Sequence, residues 1–318
     1  MVPALIAVSQ SLQRRSQGLI WYWIACKLLA TQERKMTEKL VAVLGAGLMG
    51  AGIAEVAARA GSDVILVDVD ATAAAKGKGR IEAGVRKSVE KGQFDDAAAK
   101  EILSRVRTGT TVEELAAADL VIEAVYENLA VKKEAFRKLD AIVKAGAILA
   151  SNTSGLSITE ISAVTKRPDK VLGLHFFYPA PRMKLVEMVR GLATSDETYQ
   201  RARRFVDATG KTAILAQDYP GFIVNRILLP MINEAVFCVM EGAKPEDVDA
   251  GMKLGCNHPM GPLELADFVG IDVCLATITG LYENLRDSKY RPCPLFVKMV
   301  EAGWLGRKSG RGFYRYEQ

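Results

Sequence analysis

The feature that most constrains this chain is a glycine-rich turn set between a short apolar run and a helical pattern. Leu40-Val-Ala-Val-Leu44 is followed by Gly45-Ala46-Gly47-Leu48-Met49-Gly50, and then by Ala51-Gly-Ile-Ala-Glu-Val-Ala-Ala-Arg-Ala60 at helical spacing. A wholly apolar run of that length reads as a strand buried on both faces of a parallel sheet. Gly45 then permits a tight turn, Gly47 lets the backbone approach a pyrophosphate, and Gly50 lets the helix lie close on the sheet. Free amides at the helix N-terminus face the phosphates. A second apolar run, Asp63-Val-Ile-Leu-Val-Asp68, ends in an acid. At the end of such a strand Asp68 accepts hydrogen bonds from ribose hydroxyls while its charge repels a 2′-phosphate, so NAD is favoured over NADP. On these residues alone, a methyltransferase with a similar turn is an open alternative.

The alternation of strand and helix continues. A cation-rich helix (Lys76, Lys78, Arg80, Arg86, Lys87, Lys91) precedes a strand over Asp119–Val125, a helix from about Val131 and a strand over Ala147–Ser151. These are further βα units of one doubly wound sheet. The cationic helix is either a solvated face or a landing surface for a phosphate-bearing substrate. At 318 residues, 49% hydrophobic and 25% charged, the chain fits about two globular domains and excludes disordered and low-complexity classes.

The formal charge of +5 is unevenly placed: residues 1–35 carry Arg14, Arg15, Lys27, Arg34 and Lys35 against Glu33, and the rest is nearly neutral. Nucleic-acid binding therefore has no compositional support. The apolar run Gly18–Ala30 is too short for a transmembrane helix and is interrupted by Lys27. No clear cleavage site follows it. Residues 1–35 are expected to be an extension outside the fold, with Met36 a good start, and no membrane association is expected for the body. The cysteines number five, an odd count without CxxC, which reads as reduced thiols in a cytoplasmic protein. Only two histidines occur, His175 and His258, so metal chemistry is not expected and acid–base work near neutrality points to one of two places.

The chemistry concentrates between Ser154 and Asn225. Asn152-Thr-Ser154-Gly is a polar turn at the carboxyl end of the sheet, where ligands of such folds bind. Val171–Phe177 and Lys184–Arg190 read as strands joined through Pro179-Ala-Pro181. If they pair antiparallel about that turn, His175 faces Glu187 with Cβ atoms ~4.5–5.5 Å apart, within hydrogen-bond reach. A carboxylate beside an imidazole fixes its tautomer and orientation, as a general base requires. The bland alternative is a hydrogen-bonded core histidine. After a last strand, Thr212–Gln217, only helices are expected: Phe222 to about Glu241, Pro245 to about Leu254, Pro262 to about Glu283 and Pro294 to about Ala302. Asn225 falls in the first turn of the first of these, either capping it or pointing back into the cleft.

Together these residues resemble the L-3-hydroxyacyl-CoA dehydrogenases, most closely the short bacterial 3-hydroxybutyryl-CoA type. The resemblance runs from about Leu40 to Tyr316. It rests on the glycine turn, Glu127-Asn-Leu, Ser151-Asn-Thr-Ser154, His175-Phe-Phe, Met183-Lys-Leu-Val-Glu187, Pro220-Gly-Phe-Ile-Val-Asn225, His258-Pro-Met-Gly-Pro-Leu-Glu-Leu-Ala-Asp267 and Leu305-Gly-Arg-Lys-Ser-Gly-Arg-Gly-Phe313. It removes the methyltransferase alternative. It implies an α/β, Rossmann-like NAD-binding domain (36–219) and an all-helical C-terminal substrate and dimerisation domain (220–318). The implied reaction is reversible oxidation of a 3-hydroxyacyl-CoA to the 3-ketoacyl-CoA in fatty-acid or butyrate metabolism. By the same resemblance His175 is the base, Glu187 holds it, and Ser154 and Asn225 bind the substrate oxygen. Asp68, Glu127, Lys132, Ser154 and Lys308 match NAD contacts, and Lys91 matches a CoA contact.

Two positions depart from the family pattern: Tyr178 stands where an asparagine on the nicotinamide side is usual, and Gly84 replaces a serine of the CoA-binding helix. A same-fold dehydrogenase acting on a free hydroxy or sugar acid, and a non-catalytic NAD-binding protein, are the competing readings.

Overall fold

The computed structural model describes residues 38–317, so the extension expected at 1–35 lies outside them. From the N-terminus the elements run β1 (Leu40–Leu44), α1 (Leu48–Arg59), β2 (Asp63–Val67), α2 (Ala71–Glu90), α3 (Asp96–Ser104), β3 (Val106–Gly109), β4 (Leu120–Glu123), α4 (Leu129–Ile142), β5 (Ile148–Ser151), α5 (Ile158–Ser162), β6 (Val171–Phe176), β7 (Leu185–Arg190), α6 (Asp196–Ala208) and β8 (Thr212–Gln217). The eight strands form one sheet in the order β3-β2-β1-β4-β5-β6-β7-β8. Neighbours are parallel except β6 and β7, which run antiparallel.

Alternate side chains of each central strand feed two apolar layers, which is why these strands read as unbroken apolar runs. Val41, Val43, Leu120, Ile122, Leu172 and Leu174 pack with Ile53, Ile81 and Phe205 of α1, α2 and α6. Ala42, Leu44, Val121, Leu149 and Val171 pack on the opposite face with Phe136, Leu139, Ile158 and Phe222. Beyond β8 come α7 (Val224–Met240), α8 (Pro245–Gly255), α9 (Pro262–Val269), α10 (Ile271–Leu285) and α11 (Pro294–Glu301), with their own core around Ile232, Leu263, Ile278 and Phe296.

Two aspartates tie this helical layer together. Asp249 accepts hydrogen bonds from the Leu263 and Glu264 amides (2.8 and 2.9 Å) and from the Tyr314 hydroxyl (2.7 Å). Asp267 accepts from the Phe313 and Tyr314 amides and the Tyr316 hydroxyl, each at 3.0 Å. Burial outweighs these bonds and lifts the Asp267 carboxyl above the usual carboxylate range, while the Tyr316 phenol is pushed up to about 12 by burial and its aspartate partner. The 258–267 and 305–313 motifs thus meet as a structural clamp.

The structure corrects the element reading in two ways. The helix expected over Pro262–Glu283 is broken at Gly270, whose φ of 109° bends α9 against α10 by 101°. Apolar periodicity on both sides conceals the break, because a lone glycine is tolerated in a helical pattern. The elements β3, α3, α5 and α6 are absent from the sequence reading; β3 is a four-residue edge strand carrying Arg107 and Thr108, with little apolar signal.

Two glycines differ sharply in what surrounds them. A Cβ on Gly50 would lie 1.7 Å from the Gly45 carbonyl oxygen, whereas one on Gly79, exposed in mid-α2, would meet nothing within 4 Å. Gly50→Ala should therefore cost about 1–3 kcal/mol or more, and Gly79→Ala should gain about 0.5–1 kcal/mol by lowering unfolded-state entropy. Urea-unfolding midpoints of the two variants check both signs.

Candidate active site

The glycine turn sits where β1 ends at the carboxyl edge of the sheet. Gly45 adopts φ 104°, and a Cβ there would lie 2.6 Å from the Ala124 carbonyl oxygen, so the turn needs glycine at this point. No side chain caps the N-terminus of α1, and no neighbouring atom lies within 4 Å of a Cβ built on Gly47. An uncapped helix start over open space suits a pyrophosphate, so the residues present fit NAD. Asp68 reaches across from the end of β2 and accepts from the Ala46 amide (2.5 Å) and the Val69 amide (2.7 Å), fixing the acid beside the turn. Arg80 of α2 donates to the Ala46 carbonyl at 3.1 Å.

His175 and Glu187 face each other in the β6–β7 register, as expected from the turn between them. The imidazole Nδ1 lies 2.7 Å from Glu187 Oε2, with His175 5% exposed and Glu187 fully buried. A carboxylate only accepts, so Nδ1 carries the hydrogen and Nε2 is the basic nitrogen. The other carboxylate oxygen, Oε1, accepts from the Ile223 and Val224 amides at 3.1 and 2.9 Å, which is where α7 begins. Phe177 and Phe222 flank the imidazole at ring-centre distances of 4.5 and 5.7 Å.

The polar turn after β5 is held by an ionic network, centred on a buried lysine, that the sequence reading missed. Lys132 of α4, 1% exposed, places its ammonium 2.6 Å from Glu123 at the end of β4 and 3.2 Å from Glu127. Glu123 also accepts from the Ser151 hydroxyl (2.6 Å) and the Val125 amide (2.7 Å). Glu127 in turn accepts from Thr153 Oγ1 (2.5 Å) and the Ser154 amide (2.8 Å). An acid closing a buried strand and a lysine nine residues on were the available signal. Lys132 was expected as a cofactor contact; its burial leaves it holding Glu127 and hence the turn. Ser154 is exposed, and its carbonyl accepts from Asn225 Nδ2 at 3.3 Å, so the structure brings these two expected residues together across the junction. Lys308, in the helical layer, is 2.5 Å from Asp272 at the start of α10.

A cleft of about 660 Å³ opens between α1, α2 and the loop after β6, and Tyr178 and Lys91 line it. Lys211, buried under that loop, donates to the Ala180 and Met183 carbonyls (2.6 and 2.5 Å). Burial pushes its ammonium below the usual lysine range. The glycine at position 84 has a physical reason: a Cβ there would lie 2.4 Å from Glu55 Oε2, so the glutamate fills the space of a side chain.

Replacing Lys132 with methionine would strand Glu123 as a buried, uncompensated carboxylate. Lys132→Met should cost about 3–5 kcal/mol, read by chemical denaturation, and weaken NADH binding through the loosened turn, read by fluorescence titration.

Comparison with known proteins agrees with this geometry. The family model described as 3-hydroxyacyl-CoA dehydrogenase, NAD binding domain, matches residues 40–219, and the C-terminal domain model of the same family matches 221–316. The chain is 54% identical over 284 residues to a probable 3-hydroxybutyryl-CoA dehydrogenase of Bacillus subtilis, covering 89% of this chain and 99% of that one. It is 42% identical to the human mitochondrial hydroxyacyl-coenzyme A dehydrogenase, covering 89% and 93%. The crystal structure of (S)-3-hydroxybutyryl-CoA dehydrogenase from Ralstonia eutropha superposes with a TM-score of 0.86 at 46% identity, covering 89% of this chain and all of that one. With both domain models matched in order along nearly all the described residues, the chain belongs to the 3-hydroxyacyl-CoA dehydrogenase family, of the short bacterial type, and NAD is its cofactor.

Proposed function

We propose that the chain reversibly oxidises a short L-3-hydroxyacyl-CoA, 3-hydroxybutyryl-CoA above all, to the 3-ketoacyl-CoA, with His175 as general base. The observation that carries this is the buried His175–Glu187 pair, 2.7 Å apart, near the carboxyl end of β6 in the same sheet whose β1 carries the glycine turn. A pure binding protein has no need of an oriented base there. Bound at the glycine turn, NAD would supply the acceptor for the hydride that leaves C3 of the substrate. His175 Nε2 takes the hydroxyl proton in the same oxidation. Glu187, unable to turn away because two amides grip its other oxygen, keeps the ring oriented and balances the charge of the imidazolium as it forms.

The remaining residues divide between the two ligands. Gly45, Ala46, Gly47, Leu48, Met49 and Gly50 seat the pyrophosphate, and Asp68 takes the ribose. Glu127, held by Lys132, shapes the cofactor side of the 151–154 turn, with Tyr178 and Lys308 further contacts. Ser154 and Asn225 bind the substrate oxygen, and Lys91 binds the CoA phosphates at the cleft. The division into a cofactor domain ending at 219 and a helical domain from 220 belongs to the same reading. So does pairing of two copies through the helical layer, where Ile227, Phe268 and Val273 are exposed, and so do a cytoplasmic location and a place in fatty-acid or butyrate metabolism.

Initial rates with acetoacetyl-CoA and NADH, followed by NADH absorbance, test the assignment. The free 3-keto acid and NADPH should be poor substitutes, the second because Asp68 repels a 2′-phosphate. His175→Gln and Glu187→Gln should each lower kcat by about 10²–10⁴-fold; near-normal turnover in either would overturn the base assignment.

A further inference from the structure

The cleft between α1 and α2 carries an acid that the proposed chemistry does not use. Arg59, Arg80, Lys87, Lys91 and Arg182 line it, and against these five cations stands one acid, Glu55. Glu55 is 4% exposed, and its Oε1 lies 2.5 Å from Arg59 Nη2 one turn along α1. That approach falls outside hydrogen-bond geometry, and Oε1 has no hydrogen-bonding partner. Arg59 in turn donates to Ser88 Oγ of α2 at 2.6 Å and lies over the Phe94 ring, 5.0 Å from its centre. Room for the carboxylate exists because residue 84 has no side chain. The other charged groups of the same cleft are Arg80 and Lys87 of α2, Lys91 just past its end and Arg182 of the loop after β6, while Lys211, beneath that loop, is near enough to Arg59 for the two charges to oppose each other.

A buried carboxylate amid five cations in a cleft suited to phosphates looks counterproductive, since it cancels attraction for an anionic ligand. We propose that Glu55 is a positioning residue that sets how tightly this cleft holds a polyanionic acyl carrier: ionised, it pins and neutralises Arg59, and protonated, it frees that charge for the ligand. This deepens the function proposed above and rests on it for the identity of the carrier. Burial lifts the Glu55 carboxyl above the usual carboxylate range, although Arg59 opposes the rise. As pH falls through that raised value the cleft gains one positive charge, so affinity for the carrier rises toward acid.

The measurements compare wild type with Glu55→Gln, which keeps the shape and removes the charge. Calorimetric Kd for CoA alone and KM for acetoacetyl-CoA should fall roughly three- to ten-fold in the variant near neutral pH, as expected for one charge at partly screened distance. The two proteins should converge toward acid pH, and the change should fall on KM rather than on kcat. Every other titrating group is common to both proteins, so the ratio isolates Glu55. With acetoacetyl-N-acetylcysteamine, a thioester lacking phosphates, the two should not differ. Unchanged CoA affinity at every pH, or an equal shift for both thioesters, would overturn the proposal. If Glu55→Gln does not fold, Arg59→Gln serves instead: it should weaken CoA binding more at acid than at neutral pH, and a uniform loss would overturn the proposal. Absence of acyl-CoA turnover by wild type, with the CoA response intact, would refute the proposed function and leave this inference standing.

Discussion

The carboxylate of Glu187 is the joint on which this architecture depends. One oxygen fixes the imidazole of β6 and the other holds the first amides leading into α7. A buried carboxylate is costly unless it is hydrogen-bonded or paired with a cation, and here the hydrogen-bonding partners come from two different layers. The orientation of the imidazole and the seating of the helical layer are therefore satisfied by the same charge. Asn225, reaching from α7 to the Ser154 carbonyl, adds a second tie between the same two layers. The reversal of β7 makes this possible: it brings an acid back alongside the histidine at the sheet edge where parallel strands present their carboxyl ends.

A second constraint is electrostatic. Lys132 is buried between Glu123 and Glu127, and the two acids between them hold Ser151, Thr153 and the Ser154 amide. The ammonium thus lets two acids stand close together at the sheet edge, and they add to the bonds that the Ser151, Asn152 and Thr153 side chains already make within and across the turn. Such pairs contribute less to net stability than to a single arrangement. Their value here is a defined position for Ser154.

Much of this was legible in the residues. The glycine turn, the acid after β2 and the paired His175 and Glu187 each rest on short-range rules, namely period, turn chemistry and register about a proline loop. What stayed hidden depends on burial, which a single sequence does not display. Lys132 enters only as a cofactor contact implied by the resemblance, with nothing to mark it as buried, and Glu55 reads as one polar residue in an apolar helix. The break at Gly270 is concealed by matching apolar periods, and edge strand β3 by its polar residues. Gly84 stood out as a departure, but only the space it leaves for Glu55 gives it a cause.

Lys211 grips the loop after β6 solely through main-chain carbonyls, those of Ala180 and Met183. Every residue type offers the same carbonyl, so the hold is blind to the side chains it supports. The wall formed by residues 178–182 can then change its chemistry while its path is kept, and Tyr178, exposed over the cleft, is one such change. The hairpin thus combines two kinds of hold on one piece of chain: a side-chain pairing at His175 and Glu187 that depends on which residues stand there, and a main-chain grip at its tip that does not.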